Sequence, residues 1–212
     1  MKENNGKFWA ALALLGAFVL WTAAVCLVDV QPIGPQGTAV GFATVNGAFH
    51  NMTGVQLWLY TITDWLSLIP LGTAAGFGLL GLCQWIRRKK LRAVDRSILA
   101  LGVFYLVVAA VFLLFEVVVI NYRPVMPEGV LEASYPSSTT MLVLCVMPTA
   151  AMELKRRLNQ PRITSAITVF TLLMVAGRLL SGVHWLTDII GGGLISGGLV
   201  LLYQALGEEK TQ

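Results

Sequence analysis

Residues 97–120 read SILALGVFYLVVAAVFLLFEVVVI, a run of 24 positions in which Glu116 is the one charged side chain. As a helix this stretch rises about 36 Å, enough to cross roughly 30 Å of hydrocarbon. The whole chain shares its character: 212 residues, 56% hydrophobic and 12% charged, with mean hydropathy +0.73. A soluble domain carries charge on about a quarter of its residues, so that class is excluded. The length allows about six crossings and leaves no room for a second, aqueous domain.

Five further runs have comparable length and polarity, at 7–29, 64–86, 137–154, 163–182 and 185–206. The expected fold is therefore all-α, a six-transmembrane-helix bundle forming a single integral membrane domain over 1–212. Between the first two spans, the aromatic-containing segment 31–63 is expected to form an interfacial helix or a re-entrant loop. The first run, Phe8 to Val28, is too long for a signal-peptide core and reads as a retained helix. Cys26, Cys83 and Cys145 are isolated in apolar runs. They read as small packing residues between helices rather than disulfide or zinc partners, and no metal site is expected. Gly191 to Gly193 and Gly197-Gly198 read as close helix packing.

The net charge of +4 comes from 15 cations and 11 anions. Six cations fall between Arg87 and Arg96 and four between Lys155 and Arg162, which puts both connections in the cytoplasm by the positive-inside rule. Lys2, Lys7 and Lys210 then share that side, with both termini. Topology accounts for the basic balance, so no nucleic-acid partner is implied. Arg123 and Arg178 remain, both at the outer boundary. An arginine there either snorkels or faces the bundle interior, water or an anionic partner.

The same boundary carries Tyr135-Pro136-Ser137-Ser138-Thr139-Thr140 at the start of the fourth span, and His184 with Asp188 at the start of the sixth. A spacing of four places His184 and Asp188 on one helix face. The carboxylate can then fix the imidazole tautomer and free the other nitrogen as nucleophile or base, or the pair is simply a structural hydrogen bond. The serine- and threonine-rich helix start offers either an anion site or plain capping. Asp64, at the head of the second span, reads as a helix cap that can also approach this region. His50 lies in the interfacial segment without an evident partner. Together, two arginines, a helix start and an oriented histidine favour phosphate chemistry.

Arg178-x5-His184-x3-Asp188 resembles the third signature, S-R-x5-H-x3-D, of the type 2 phosphatidic acid phosphatase superfamily. Tyr122-Arg123-Pro124 is similar to the end of its first signature, K-x6-R-P, and Pro136-Ser137-Ser138-Thr139 to the second, P-S-G-H. The resemblance implies His184 as the nucleophile that forms a phosphohistidine and Asp188 as its orienter. It implies Arg123, Arg178, Ser137 and Ser138 as phosphate-binding residues, with Thr139 at the place of the general acid. It implies no metal and no organic cofactor. Three positions depart from the pattern: Glu116 stands where the family has lysine, Thr139 where it has histidine, and Gly177 where it has serine.

A threonine hydroxyl does not donate protons near neutral pH as imidazole does, and losing a general acid costs about 10²–10⁴ in rate. A lipid diphosphate, whose leaving phosphate is weakly basic, tolerates that loss best, so an isoprenoid diphosphate is the favoured substrate. Glu116 either holds an amine, which suits a phosphodiester head-group hydrolase or transferase, or pairs with Arg123 two helical turns away. The expectation is thus a lipid phosphate or diphosphate phosphatase in a bacterial cytoplasmic membrane, with its active site on the outer side. A non-catalytic binder of a phosphorylated lipid is the main rival, and a transporter a weaker one.

Overall fold

The computed structural model describes residues 2–127, 129–158 and 160–208; Lys210, assigned above to the cytoplasmic side, lies outside them. Among the described residues there are eight α-helices and no strand: α1 (Lys2–Leu27), α2 (Ala43–Thr53), α3 (Leu57–Leu66), α4 (Leu68–Arg88), α5 (Arg96–Val117), α6 (Ser138–Leu158), α7 (Pro161–Leu180) and α8 (Leu186–Glu208).

Five stretches are long and apolar enough to cross a membrane: Asn4–Leu27, Leu57–Arg88, Arg96–Val117, Pro161–Leu180 and Leu186–Gly207. The expected second span, 64–86, begins too late. Its helix starts at Leu57, and α3 runs into α4 through Ser67, which keeps helical angles (φ −65°, ψ −17°). Pro70 explains the break in regularity, because it has no N–H to give the Leu66 carbonyl and its ring crowds that oxygen. The segment 31–63 is therefore not one interfacial element. Its middle is α2 and its end is the first part of a spanning stretch.

The expected fourth span is α6, as long as the others at 21 residues but outside the five apolar stretches. It carries Thr139, Thr140, Thr149, Glu153 and a basic last turn. Most of its side chains are buried, and it packs against α4, α5, α7 and α8. A helix wrapped by other helices needs no lipid-facing apolar surface, so its sequence is free to be polar.

Packing of α1 against α8 is antiparallel. Leu14 and Leu15 lie over Gly197 and Gly198, and the Trp21 indole donates to the Thr187 carbonyl at 3.1 Å. A Cβ on Gly198 would stand 2.8 Å from Leu15, so these glycines set the approach of the two helices. The core joins Phe18 and Val25 of α1, Leu101, Phe104 and Val108 of α5, Met141 and Cys145 of α6, and Ile195 and Leu199 of α8. Cys145 is buried there, whereas Cys26 and Cys83 are on outer helix faces. They do not pack between helices as expected; a small apolar side chain is equally at home facing lipid.

The two basic connections meet at one end of the bundle. Arg157 reaches Asp95 at 3.2 Å and the buried Glu153 at 2.6 Å, while Arg88 holds Asp95 at 3.0 Å. The chain direction puts the loops 118–137 and 181–185 at the opposite end.

Candidate active site

After α5 the chain folds back on itself at that opposite end. Tyr122 and Ala133 form an isolated antiparallel bridge, with Ser134 N–H donating to the Asn121 carbonyl at 2.9 Å and Arg123 N–H to the Glu132 carbonyl at 3.1 Å. This pairing delivers Asn121, Arg123 and Ser134 to one place. Arg123 Nη1 lies 2.9 Å from Glu132 Oε2 and 3.4 Å from the Tyr60 hydroxyl of α3.

The turn between α7 and α8 delivers the histidine. Gly182 has φ +69°, and a Cβ there would stand 2.1 Å from the Gly54 carbonyl oxygen, so glycine is required on both counts. Ser181 also accepts from Gln56 N–H at 2.9 Å, fixing the α2–α3 junction against this turn. Because α8 begins at Leu186, His184 precedes the helix. It does not share a helix face with Asp188, as the spacing of four had suggested.

Asp188, in the first turn of α8, accepts Trp185 N–H at 2.9 Å and returns its own N–H to the Trp185 carbonyl at 3.1 Å, a reciprocal cap. Its carboxylate also takes the Ser134 hydroxyl at 2.5 Å and Asn121 Nδ2 at 3.3 Å. His184 Nδ1 is 3.9 Å from Asp188 Oδ2, too far for a hydrogen bond. Ser134 Oγ bridges them, 3.0 Å from Nδ1. Since the serine proton goes to the carboxylate, Oγ accepts from Nδ1–H, which leaves Nε2 with its lone pair. That Nε2 is buried and has no partner. Burial pushes the His184 pKa below its ordinary 6.5, against the pull of Asp188, with Arg123 and Arg178 adding to the lowering. The ring is neutral at pH 7.

Arg178 is 2% exposed, so it faces the bundle interior rather than snorkelling. Its Nη2 donates to Thr139 Oγ1 at 2.6 Å and to Asp64 Oδ1 at 3.2 Å. Its guanidinium lies 4.8 Å from the centre of the Tyr60 ring, and that of Arg123 5.9 Å from the same centre. Nε and Nη1 of Arg178 and Nε of Arg123 are buried without partners. Such donors are costly to leave empty, and they mark where an anion is wanted.

The remaining candidates fall into two groups. Thr139, Arg178 and Arg123 belong to one cluster, through Tyr60, and His184 and Asp188 to a second, through Ser134; the charges of Arg123 and Arg178 are felt at His184. Ser137 is buried; its N–H donates to the Asp188 carbonyl at 3.1 Å and its hydroxyl accepts from Thr140 at 3.0 Å. Ser138 and Glu116 line an adjacent groove of about 250 Å³, with Phe112, Phe115 and Ser134 among its other walls. Arg123 pairs with Glu132 and not with Glu116, because the fold-back after α5 brings Glu132 opposite it. Asp64 is not a helix cap, since its helix starts seven residues earlier; it is the carboxylate partner of Arg178. His50 packs its ring 5.5 Å from that of Trp185. Among the described residues no group of three or more His, Cys, Asp or Glu side chains is placed to hold a metal ion.

Sequence reasoning missed Ser134, Asn121, Glu132 and Tyr60. Ser134 stands just before the Tyr135-Pro136 pair that opens the second motif, a faint signal; the other three carry none.

The PAP2 superfamily model matches residues 116–211, the part of the chain that holds Glu116, both arginines, the Ser137–Thr139 start of α6 and the His184–Asp188 pair. Over that part the chain is similar to the PAP2 superfamily. Its fold is similar to that in the crystal structure of the first transmembrane PAP2 type phosphatidylglycerolphosphate phosphatase from Bacillus subtilis. The two share 21% identity over 95% of this chain and 97% of that one, with a TM-score of 0.61. No curated protein matches the chain. The five stretches long and apolar enough to cross a membrane, with a fold like that of a transmembrane protein, support an integral membrane protein.

Proposed function

We propose that the protein releases orthophosphate from a membrane lipid phosphate or diphosphate, with His184 as nucleophile. The observation that carries this reading is the set of unpartnered buried nitrogens: Nε2 of His184, Nε and Nη1 of Arg178 and Nε of Arg123. A phosphoryl group bound between them, phosphorus toward Nε2 and oxygens toward the guanidinium groups, would give these nitrogens the partners they lack.

In the first step the Nε2 lone pair forms a bond to phosphorus as the bond to the leaving oxygen breaks, giving a phosphohistidine. Asp188 stabilises the growing charge on the ring through Ser134. Water then attacks phosphorus, the P–N bond returns its electrons to Nε2, and orthophosphate leaves. Asp64 is 57% exposed on its side chain, so it can withdraw into water and yield Arg178 Nη2 to a phosphoryl oxygen. Thr139 holds Arg178 rather than supplying a proton, and Ser137 ties the start of α6 to Asp188. Ser138 and Glu116 would meet the head group beyond the phosphate.

We place this end of the bundle on the outer side, because the basic connections occupy the other end. On this reading α6 is the sixth crossing, shielded from lipid by its neighbours, and the termini are cytoplasmic. An isoprenoid diphosphate is the first substrate to try, since its leaving phosphate needs little protonation. Phosphatidylglycerolphosphate, named for the Bacillus subtilis protein, is the second. Purified protein in detergent should release phosphate without added metal, and His184→Ala should abolish release. Turnover that survives in that variant removes the nucleophile. Binding of a lipid phosphate that depends on Arg123 and Arg178, with no turnover at all, would instead make the protein a lipid-phosphate binder.

A further inference from the structure

We propose that Tyr60 is the proton donor to the leaving oxygen, in place of the histidine that PAP2 proteins carry where this chain has Thr139; this rests on the phosphatase reading above. The site as drawn has a nucleophile and two anion-binding cations but no acid. Thr139 cannot serve, because its hydroxyl is a poor acid and its oxygen already accepts from Arg178 at 2.6 Å.

Tyr60 enters the arginine cluster from a different element, α3. Its ring lies against the guanidinium that Thr139 holds, 4.8 Å away, and its hydroxyl sits 3.4 Å from Arg123 Nη1. An arginine can only donate, so the phenol oxygen accepts that bond and keeps its own proton to give. The groups facing it are Arg123 from the loop after α5 and Arg178 from α7, with Asp64 one turn along α3 on the same face and Glu132 behind Arg123.

The step balances. As Nε2 of His184 bonds to phosphorus, the P–O bond breaks and the leaving oxygen takes the Tyr60 proton. The phenolate, held between Arg123 and Arg178, then takes a proton from the water that attacks the phosphohistidine. Orthophosphate, the lipid alcohol and neutral Tyr60 result. The consequence for substrate class is specific: with an acid in place, lipid phosphomonoesters, whose leaving group is an alkoxide, come within reach as well as diphosphates.

The test compares kcat/KM of the unaltered protein and Tyr60→Phe on dodecyl phosphate in mixed micelles and on 4-nitrophenyl phosphate, whose leaving group needs no proton. Tyr60→Phe keeps the ring beside both guanidinium groups and removes the hydroxyl that accepts from Arg123. The expected result is a loss of about 100-fold on dodecyl phosphate with 4-nitrophenyl phosphate nearly unchanged. Retained activity on the second substrate doubles as the check that the variant is folded. An equal loss on both substrates, or no loss on either, overturns the assignment of Tyr60 while leaving the phosphatase intact. If the unaltered protein turns over neither these two substrates nor an isoprenoid diphosphate, the phosphatase reading itself fails and this proposal falls with it.

Discussion

A carboxylate that steers an imidazole through an intervening hydroxyl has a consequence for pH. Burial lowers the His184 pKa, while the chain from Nδ1 through Ser134 to Asp188 would reward the charged ring that the proposed attack on phosphorus creates. With the folded-state pKa lowered, the ring keeps its lone pair below pH 6.5, and the unfolded chain takes up the proton first. Acidification through 6.5 therefore erodes stability before it silences the nucleophile. A kcat/KM–pH profile on an isoprenoid diphosphate should place the acid limb below 6.5, and Ser134→Ala should lower the plateau by about 10- to 100-fold, the worth of one charge-assisted hydrogen bond. A Ser134→Ala plateau equal to that of the unaltered protein would mean that Asp188 acts on the ring without the serine. The residues legible in the sequence were those whose positions a local rule fixes: Arg178, His184 and Asp188 by spacing, Arg123 by its place at the end of a span. Ser134, Glu132 and Tyr60 are 50, 9 and 63 residues from the groups they hold. Ser134 and Glu132 arrive by a chain reversal whose turn residues, Pro127 and Gly129, do not say which partners it brings together, and Tyr60 by helix packing that no periodicity encodes.

The departure at Gly177 makes sense at the level of two helices. A Cβ on Gly177 would stand 2.7 Å from Thr63 Cγ2 and 3.7 Å from Leu59, so the bare backbone of α7 lets α3 lie close. That closeness is what carries Tyr60 and Asp64 to the arginines, since Thr63 sits between them on the same helix. Restoring the family serine, Gly177→Ser, should push α3 outward, at a cost of about 1–3 kcal/mol in stability and with loss of turnover. Thr63→Ser removes the obstructing methyl while keeping the hydroxyl that bonds the Leu59 carbonyl, so adding it should restore both. Thermal unfolding and kcat/KM of the single and double variants check this. A double variant no better than Gly177→Ser alone would break the link between the glycine and α3. The sequence flagged Gly177 only as a mismatch, and its purpose appears once its neighbour across the helix pair is known. The start of α3 escaped for a related reason: Asp64 in an apolar run looks like a boundary until its buried partner Arg178 is seen.

Across the whole molecule, the basic ends of α4, α6 and α7 and the arginine–histidine site lie at opposite poles. Single cysteines introduced at Ala39, in the exposed connection between α1 and α2, and at Lys90, between α4 and α5, report the orientation. In intact cells, with the native cysteines replaced by alanine, a membrane-impermeant maleimide should label the first and spare the second; the reverse pattern would turn the protein over. Five of the six expected spans were legible because lipid demands long apolar runs. The one helix that blurred this signal is α6, whose surroundings are protein on most sides.

That placement bears on how the chain is made. A segment carrying Thr139, Thr140, Thr149 and Glu153 gains little from entering lipid by itself. It gains much from entering alongside α7, which starts at Pro161, three residues after α6 ends. Hydrophobicity alone therefore does not place α6 in the membrane. α7 and α8 must then be synthesised to enclose α6 before its first turn meets Arg178 and Asp188, so insertion of α6 and assembly of the candidate site become the same late event.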